Sequence, residues 1–337
     1  MSEQGPSGRN RNGDWRPAAP ITLPPIYAWP PRPLAVARWL FGFPGFLWPM
    51  NSLTLGITLV TWSFLTPDLA AMRTLEAWWI AVLLVRNMAL VLAFFGGLHI
   101  YLFVLEGQGN ELKFSAKPLA TDNPRFLFGH QVRDNMFRTL CTGVPIITAY
   151  EALTYWLFAN AFIGFAAPAT GTMMFWTWLV VLLLLAPAIH SVHFYLIHRL
   201  LHWRPLYRSV HRIHHHNIEV GPWSGLSMHP VELALYFSTV CVQWLLALHP
   251  VNALFQIHIA VFNAAVSHTG FDRLLVGGRV ALESNNYFHY LHHKHFECNY
   301  GSTMAPLDQV FGTFHDGSDE AQEIMRRRMR ERLRNTP

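Results

Sequence analysis

Apolar residues fall along this chain in long runs separated by polar, proline-marked breaks, a pattern that predicts helices able to cross a bilayer. The hydrocarbon of a bilayer takes roughly 20 apolar residues of helix. By that measure the stretch from about Asn51 to Leu65 is a short, uncharged first span that stops before Pro67. A second, from about Ala77 to Leu105, is long enough to tilt and carries Arg86. About Val144 to Ala166, with Glu151, is the third, and about Met173 to Ile197 the fourth. A weaker pair, about Val231 to Leu248 and Val251 to Val266, is split by His249 and Pro250 and predicts a hairpin, full or re-entrant. Upstream, residues 1–35 are rich in Pro, Gly, Arg and Asn and do not read as a secretory signal. The run PLAVARWLFGFPGFLWP, from Pro33 to Pro49, is aromatic but broken by prolines, which suits a segment lying at headgroup level.

The expected fold is therefore all-α: an integral membrane helical bundle of four long spans plus a hairpin, with a cytosolic histidine-rich metal-binding cap. Four regions follow: 1–50, a flexible or interfacial lead; 51–184, transmembrane helices and a cytosolic loop; 185–317, the catalytic segment; and 318–337, a basic tail. Composition agrees, since 52% of the 337 residues are hydrophobic and only 13% charged, against about 25% charged in a soluble domain. Basic residues set the orientation. Five arginines precede the first span, and Lys113, Lys117, Arg125, Arg133 and Arg138 lie between the second and third. The loop after the first span has only Arg73, and the one around Pro168 to Gly171 has no basic residue. Positive charge favours the cytoplasmic face, which puts both termini, the 106–142 loop and everything after the fourth span in the cytosol.

Histidine carries the chemistry. The chain has 19, and they concentrate after residue 189 in three short clusters: HRLLH (His198, His202), HRIHH (His211, His214, His215) and HYLHH (His289, His292, His293). Residues three or four apart share one helix face, so each cluster can aim two or three imidazoles at one point. Cys141, Cys241 and Cys298 form no CxxC pair, so the metal is to be held by nitrogen. The clusters can meet without crossing the membrane only if 231–266 returns the chain to the face it left.

The order HRxxH, HxxHH, MHPVE, SHTGF, a second HxxHH, NYG and DQVFGTFHDG over about residues 185 to 317 resembles the fatty acid hydroxylase and sterol desaturase superfamily, membrane-bound histidine-rich di-iron oxygenases. The resemblance implies a non-haem enzyme that uses O2 to hydroxylate or desaturate a lipid of sterol or fatty acyl type. Its metal ligands would be His198, His202, His211, His214, His215, His229, His268, His289, His292 and His293. Its cofactor would be two Fe ions, with Zn able to occupy the site in a purified sample. Outer-shell acids able to orient a ligating imidazole are Glu232, Glu283, Glu297 and Asp308, with Asp308, in the D-x-x-FGT element, and Glu232 the leading ones. His193 is a further candidate, because Ser191 stands where the family often has an acid seven places before the first box.

Imidazole alone does not select iron, since it also suits zinc, copper and nickel. A membrane zinc-dependent hydrolase and a metal transporter or sensor are the other readings. The first lacks an HExxH arrangement, and the second would place ligands at membrane mid-depth. With no dinucleotide fingerprint or fused haem module in this sequence, electrons would come from a separate donor, a b-type cytochrome or a ferredoxin with its reductase. Phe194, Tyr195, Trp223 and Met228, beside the boxes, could line a lipid slot. His216, His295 and His315 read as solvated or interfacial, and His99, His190, His249 and His258 as helix-packing residues. Arg86 and Glu151 either pair inside the bundle or reach the interface, and Asn299, Tyr300 and Gly301 read as a turn that positions the last box. The arginines from Arg326 to Arg334 suit a lipid headgroup surface and not nucleic acid.

Overall fold

The computed structural model describes residues 8–9, 13–164, 170–284 and 286–335. Parts of the amino-terminal lead (1–7 and 10–12), the last residues of the expected third span (165–166), residues 168–169 of the uncharged loop and the final two of the tail lie outside them. In chain order the helices are α1 (Pro33–Phe41), α2 (Ser52–Phe64), α3 (Ala77–His99), α4 (Gln131–Arg138), α5 (Val144–Ala159), α6 (Met173–Leu201), α7 (Arg204–Ser209), α8 (Pro230–Phe237), α9 (Val240–Leu246) and α10 (Pro250–Ser267). The strands β1 (Arg273–Val276) and β2 (Arg279–Glu283) and the helices α11 (Tyr287–His295), α12 (Leu307–Val310) and α13 (Asp319–Asn335) complete the chain. The antiparallel β1–β2 hairpin is a departure from the all-α expectation. It turns at Gly277 and Gly278, both at positive φ, where glycine pays no Cβ penalty.

Three described helices are long and apolar enough to cross a membrane: α3 with its continuation to Val104, α6, and α10. The α2 and α5 helices, in the expected first and third spans, are shorter, at 13 and 16 residues. The arms of the expected hairpin also differ from each other. Its first arm breaks into α8 and α9, whereas α10 is the centre of the bundle, with 16 of its 18 residues buried, and packs on α2, α3, α5, α6 and α9. A helix apolar all round buries all round, and three of its polar side chains are each tied to a neighbour through one atom. Asn252 donates to the Leu179 carbonyl, Gln256 to Thr239 Oγ1, and His258 Nδ1 lies 2.8 Å from Thr58 Oγ1.

One close contact fixes the end of the bundle where the histidines collect, and a buried ion pair ties the helices nearer the other end. Gly225, in the short 3-10 segment Pro222–Leu226, sits so close to α10 that a Cβ there would lie 2.1 Å from the Ala264 carbonyl oxygen. This contact, which only glycine permits, holds the segment after the second cluster against the end of α10, one turn from His268. On α3, Arg86 is buried and paired with Glu151 of α5. Arg86 also donates to Thr66 Oγ1 at 3.0 Å and to the Leu65 carbonyl, while Asn87 donates to Glu151 Oε2 at 2.9 Å. The pair ties α3 and α5 to the residues that follow α2.

Candidate metal centre

Nine of the ten expected imidazoles come together, in two groups. His198, His202, His211, His215 and His292 form one; His214, His268, His289 and His293 form the other; within each, the ligating atoms lie within 4.8 Å of one another. The sequence clusters do not map onto the groups. His198 and His202, one turn apart at the end of α6, both enter the first. The segment His211–His216 is a 3-10 helix and sends His211 and His215 to the first group and His214 to the second. On α11, His292 goes to the first, and His289 and His293, a turn apart, to the second. His268, which follows α10, completes the second.

Inside each group the Nε2 atoms face one another. His198 and His211 approach to 3.1 Å, His202 and His292 to 3.2 Å, and His215 and His292 to 3.1 Å. In the second group His268 lies 3.3 Å from His214 and 3.1 Å from both His289 and His293. For four of the nine rings, orientation is set from the opposite nitrogen. The Nδ1–H of His198 donates to the Tyr300 carbonyl (2.6 Å), that of His292 to the Cys298 carbonyl (2.7 Å), that of His268 to the Ala264 carbonyl (2.8 Å) and that of His211 to Glu232 Oε1 (2.6 Å). With the proton on Nδ1, Nε2 carries a bare lone pair. The 3.1 Å approach of His198 Nε2 to His211 Nε2 is then between two acceptors, an arrangement that repels unless a cation lies between them.

Metal ions fit this geometry. Neighbouring ligands about 2.1 Å from one ion are about 3.0 to 3.4 Å apart in octahedral or tetrahedral arrangement, the spacing found here. The imidazoles outside the spans are also held neutral. Burial, followed by neighbouring imidazoles, draws His202, His211, His215, His289 and His293 below the usual histidine range, and burial brings His214 down to about 4. His268 and His292 move the same way, against an opposing backbone hydrogen bond. Neutral imidazole is the ligating form.

His229 stands apart from both groups. It is half-buried and its Nδ1 accepts from the Val231 N–H at 3.2 Å, capping α8. Among the acids, Glu232 touches a grouped imidazole directly, through His211. Asp308 acts through the backbone: its carboxylate accepts from the N–H groups of Tyr300 (2.9 Å) and Gly301 (2.8 Å) and from Thr313 Oγ1 (2.6 Å), and so fixes the turn whose Tyr300 carbonyl orients His198. Burial raises its carboxyl, against those three donors. His193 Nε2 instead meets Ser238 Oγ at 2.9 Å, away from the groups, and Ser191 Oγ meets Ser302 Oγ. Glu283 lies 3.6 Å from Arg273. The backbone carbonyls of Cys298, Tyr300 and Ala264 escaped sequence reasoning because no side chain marks a carbonyl. Asn299, at φ 54° in the turn that presents two of them, is the nearest residue-level signal.

A cavity of 340 Å³ opens onto His198 and His211 of the first group and His214, His268 and His289 of the second. Its walls are largely apolar and include Phe194, Met228, Ile197 and Leu201 from the bundle and Trp39, Phe46 and Trp48 from the lead. Phe194 stacks on His198 with ring centroids 4.9 Å apart. Trp223 packs on Phe95, and Tyr195 on Phe311, so neither forms part of the wall.

Residues 181–313 match the family model described as fatty acid hydroxylase. Among curated proteins, a Delta(7)-sterol 5(6)-desaturase of Gibberella zeae is 27% identical over 60% of this chain and 61% of its own length. A methylsterol monooxygenase of Aspergillus fumigatus is 33% identical over 41% of this chain and 47% of its own. The Delta(7)-sterol 5(6)-desaturase of Saccharomyces cerevisiae is 30% identical over 37% of this chain and 33% of its own. The chain thus spans less than two thirds of the length of these relatives. No solved structure matches it.

Proposed function

We propose that this chain, whose residues 181–313 match the fatty acid hydroxylase family model, is a membrane-bound, O2-dependent oxidoreductase that hydroxylates or desaturates a lipid. The observation that carries the reading is an apolar cavity with imidazoles of both groups in its wall. The two groups would each hold one iron, with His198, His202, His211, His215 and His292 around the first and His214, His268, His289 and His293 around the second. Bound there, the ions would supply the one-electron and dioxygen chemistry that no side chain provides. Hydroxylation breaks one C–H bond and, with O2, two electrons and two protons, yields an alcohol and water; desaturation breaks two neighbouring C–H bonds and, with the same O2, electrons and protons, yields an alkene and two waters. The electrons would come from a separate b-type cytochrome or ferredoxin with its reductase. The basic loops favour a cytosolic site and an acidic carrier.

The chain's own part is to bind and to orient. Phe194 and Met228 would hold the lipid body against the imidazole floor and keep water from it. Glu232 and the carbonyls of Tyr300, Cys298 and Ala264 hold the Nδ1 protons, so that the Nε2 atoms stay free for metal. Asp308→Asn keeps the shape of the turn but sets an amide N–H against a backbone N–H. Iron retention under chelator competition should fall roughly tenfold, and an unchanged chelator profile would remove Asp308 from the outer shell.

The test of the activity is direct. Protein loaded with iron, given a reductant, 18O2 and membrane lipid extract, should consume oxygen and yield either an 18O-labelled alcohol or a new alkene by mass spectrometry. Lipid turnover that continues without O2 would instead favour a zinc hydrolase.

A further inference from the structure

The grouped imidazoles present two sides. The cavity wall takes His198, His211, His214, His268 and His289 and none of the other four. All nine are buried except His202, which follows α6 and is half-buried. There the first group comes up toward the surface, on a side that does not line the cavity. Two aromatic rings flank His202. The Tyr300 ring lies 4.8 Å from it and 5.4 Å from His292, and carries the Arg199 guanidinium 4.5 Å above its own centre. Tyr207, also half-buried, lies 5.5 Å from His202 and 5.7 Å from His215.

The surface beside these rings carries charge of one sign. Arg199, Arg204, Arg208 and Arg212 are all exposed, and the sequence from Arg199 to Ile218 holds no acid. Among the described residues no ion pair involves any of the four. The fold does not ask for them. Arg204 and Arg208 stand four apart on α7, and like charges at that spacing cost a helix stability.

We propose that this face is the docking surface of a soluble, acidic one-electron carrier protein, and that its electrons enter the first imidazole group at His202. This deepens the reading under Proposed function, on which it rests for the need of electrons at the imidazole groups. A positive face steers and orients an acidic partner, while Tyr300 and Tyr207 give a route of ring contacts from that face to His202. An anionic lipid headgroup would use the charge and not the route beneath it. Each encounter oxidises the carrier by one electron, and two encounters supply the two electrons spent per O2, with the two protons drawn from water. Lipid and reductant then reach the centre from different sides, and neither has to leave for the other to bind.

The experiment measures, by surface plasmon resonance, binding of the metal-free full chain in phosphatidylcholine nanodiscs to two probes, an acidic soluble haem domain of a b-type cytochrome and a basic c-type cytochrome. The wild-type chain should prefer the acidic domain by about tenfold or more at low salt, a preference that shrinks as salt is added. Arg204→Glu with Arg208→Glu should weaken the acidic domain about tenfold, whereas Arg204→Lys with Arg208→Lys should keep most of the binding. Arg133→Glu with Arg279→Glu makes the same charge change at exposed arginines on α4 and β2, and should alter binding by less than about twofold. With iron loaded, the reversed α7 variant should take electrons from the reduced haem domain more slowly and from dithionite at an unchanged rate. Equal slowing with dithionite would overturn the electron route. No preference for the acidic domain, equal weakening by the α4 and β2 control, or full affinity in the reversed α7 variant would overturn the docking face; in the last case, loss of co-purified phosphatidylglycerol from that variant would give the arginines to lipid headgroups. Binding is read without metal or turnover, so a chain that binds the acidic domain through these arginines but oxidises no lipid rejects the function and keeps the docking face.

Discussion

His292→Ala should abolish lipid oxidation and leave the first imidazole group unable to retain iron, while the protein still inserts into membranes. His292 is fully buried, its Nε2 lies 3.2 Å from that of His202 and 3.1 Å from that of His215, and its Nδ1 is tied to the Cys298 carbonyl. Removing the ring deletes a proposed ligand and strands that carbonyl. Metal analysis should show loss confined largely to one ion, because the second group shares no imidazole with the first. His229→Ala provides the contrast. His229 lies outside both groups and caps α8, so its loss should cost about 1 kcal/mol of stability and leave iron content near two per chain. Full activity in His292→Ala, or iron loss in His229→Ala equal to that in His292→Ala, would refute the assignment of the groups.

What could be read in advance followed from periodicity. HRLLH and HYLHH place imidazoles on one face of α6 and α11 because helix geometry leaves no alternative at that spacing, and SHTGF marked His268 through resemblance alone. The partition was not legible. His211 and His214 are three apart and their rings stack at 5.5 Å, yet they serve different groups, while His211 and His215, four apart, share one, a division that spacing alone does not give. Nor could an apolar run of 16 to 18 residues show whether it faces lipid or protein. Val251 to Val266 read as one arm of a hairpin, and became the most enclosed of the three described span-length helices because α2, α3, α5 and α6 surround it. The contribution of the lead was hidden too. PLAVARWLFGFPGFLWP looked interfacial, and only the folded chain brings Trp39, Phe46 and Trp48 to the cavity wall.

Glu151→Leu should destabilise the bundle by roughly 3–5 kcal/mol, the cost of stranding a buried charge. Arg86 would keep its bonds to Thr66 Oγ1, to the Leu65 carbonyl and to Asn87, but those are neutral acceptors, and none offsets a guanidinium. Arg86→Met would strand the Glu151 carboxylate in turn, which still accepts from Asn87 Nδ2 at 2.9 Å, so its cost should be somewhat smaller. The double variant removes both charges and fills the space with apolar atoms, and buried pairs replaced in this way are often no less stable than the original. Thermal unfolding in detergent should therefore place the double variant closer to wild type than either single one, a coupling that independent sites would not show. A double variant as unstable as the summed single losses would mean that Arg86 and Glu151 act separately. The ties among α2, α3 and α5 would then have to come from apolar packing around Trp79, Leu83 and Tyr155.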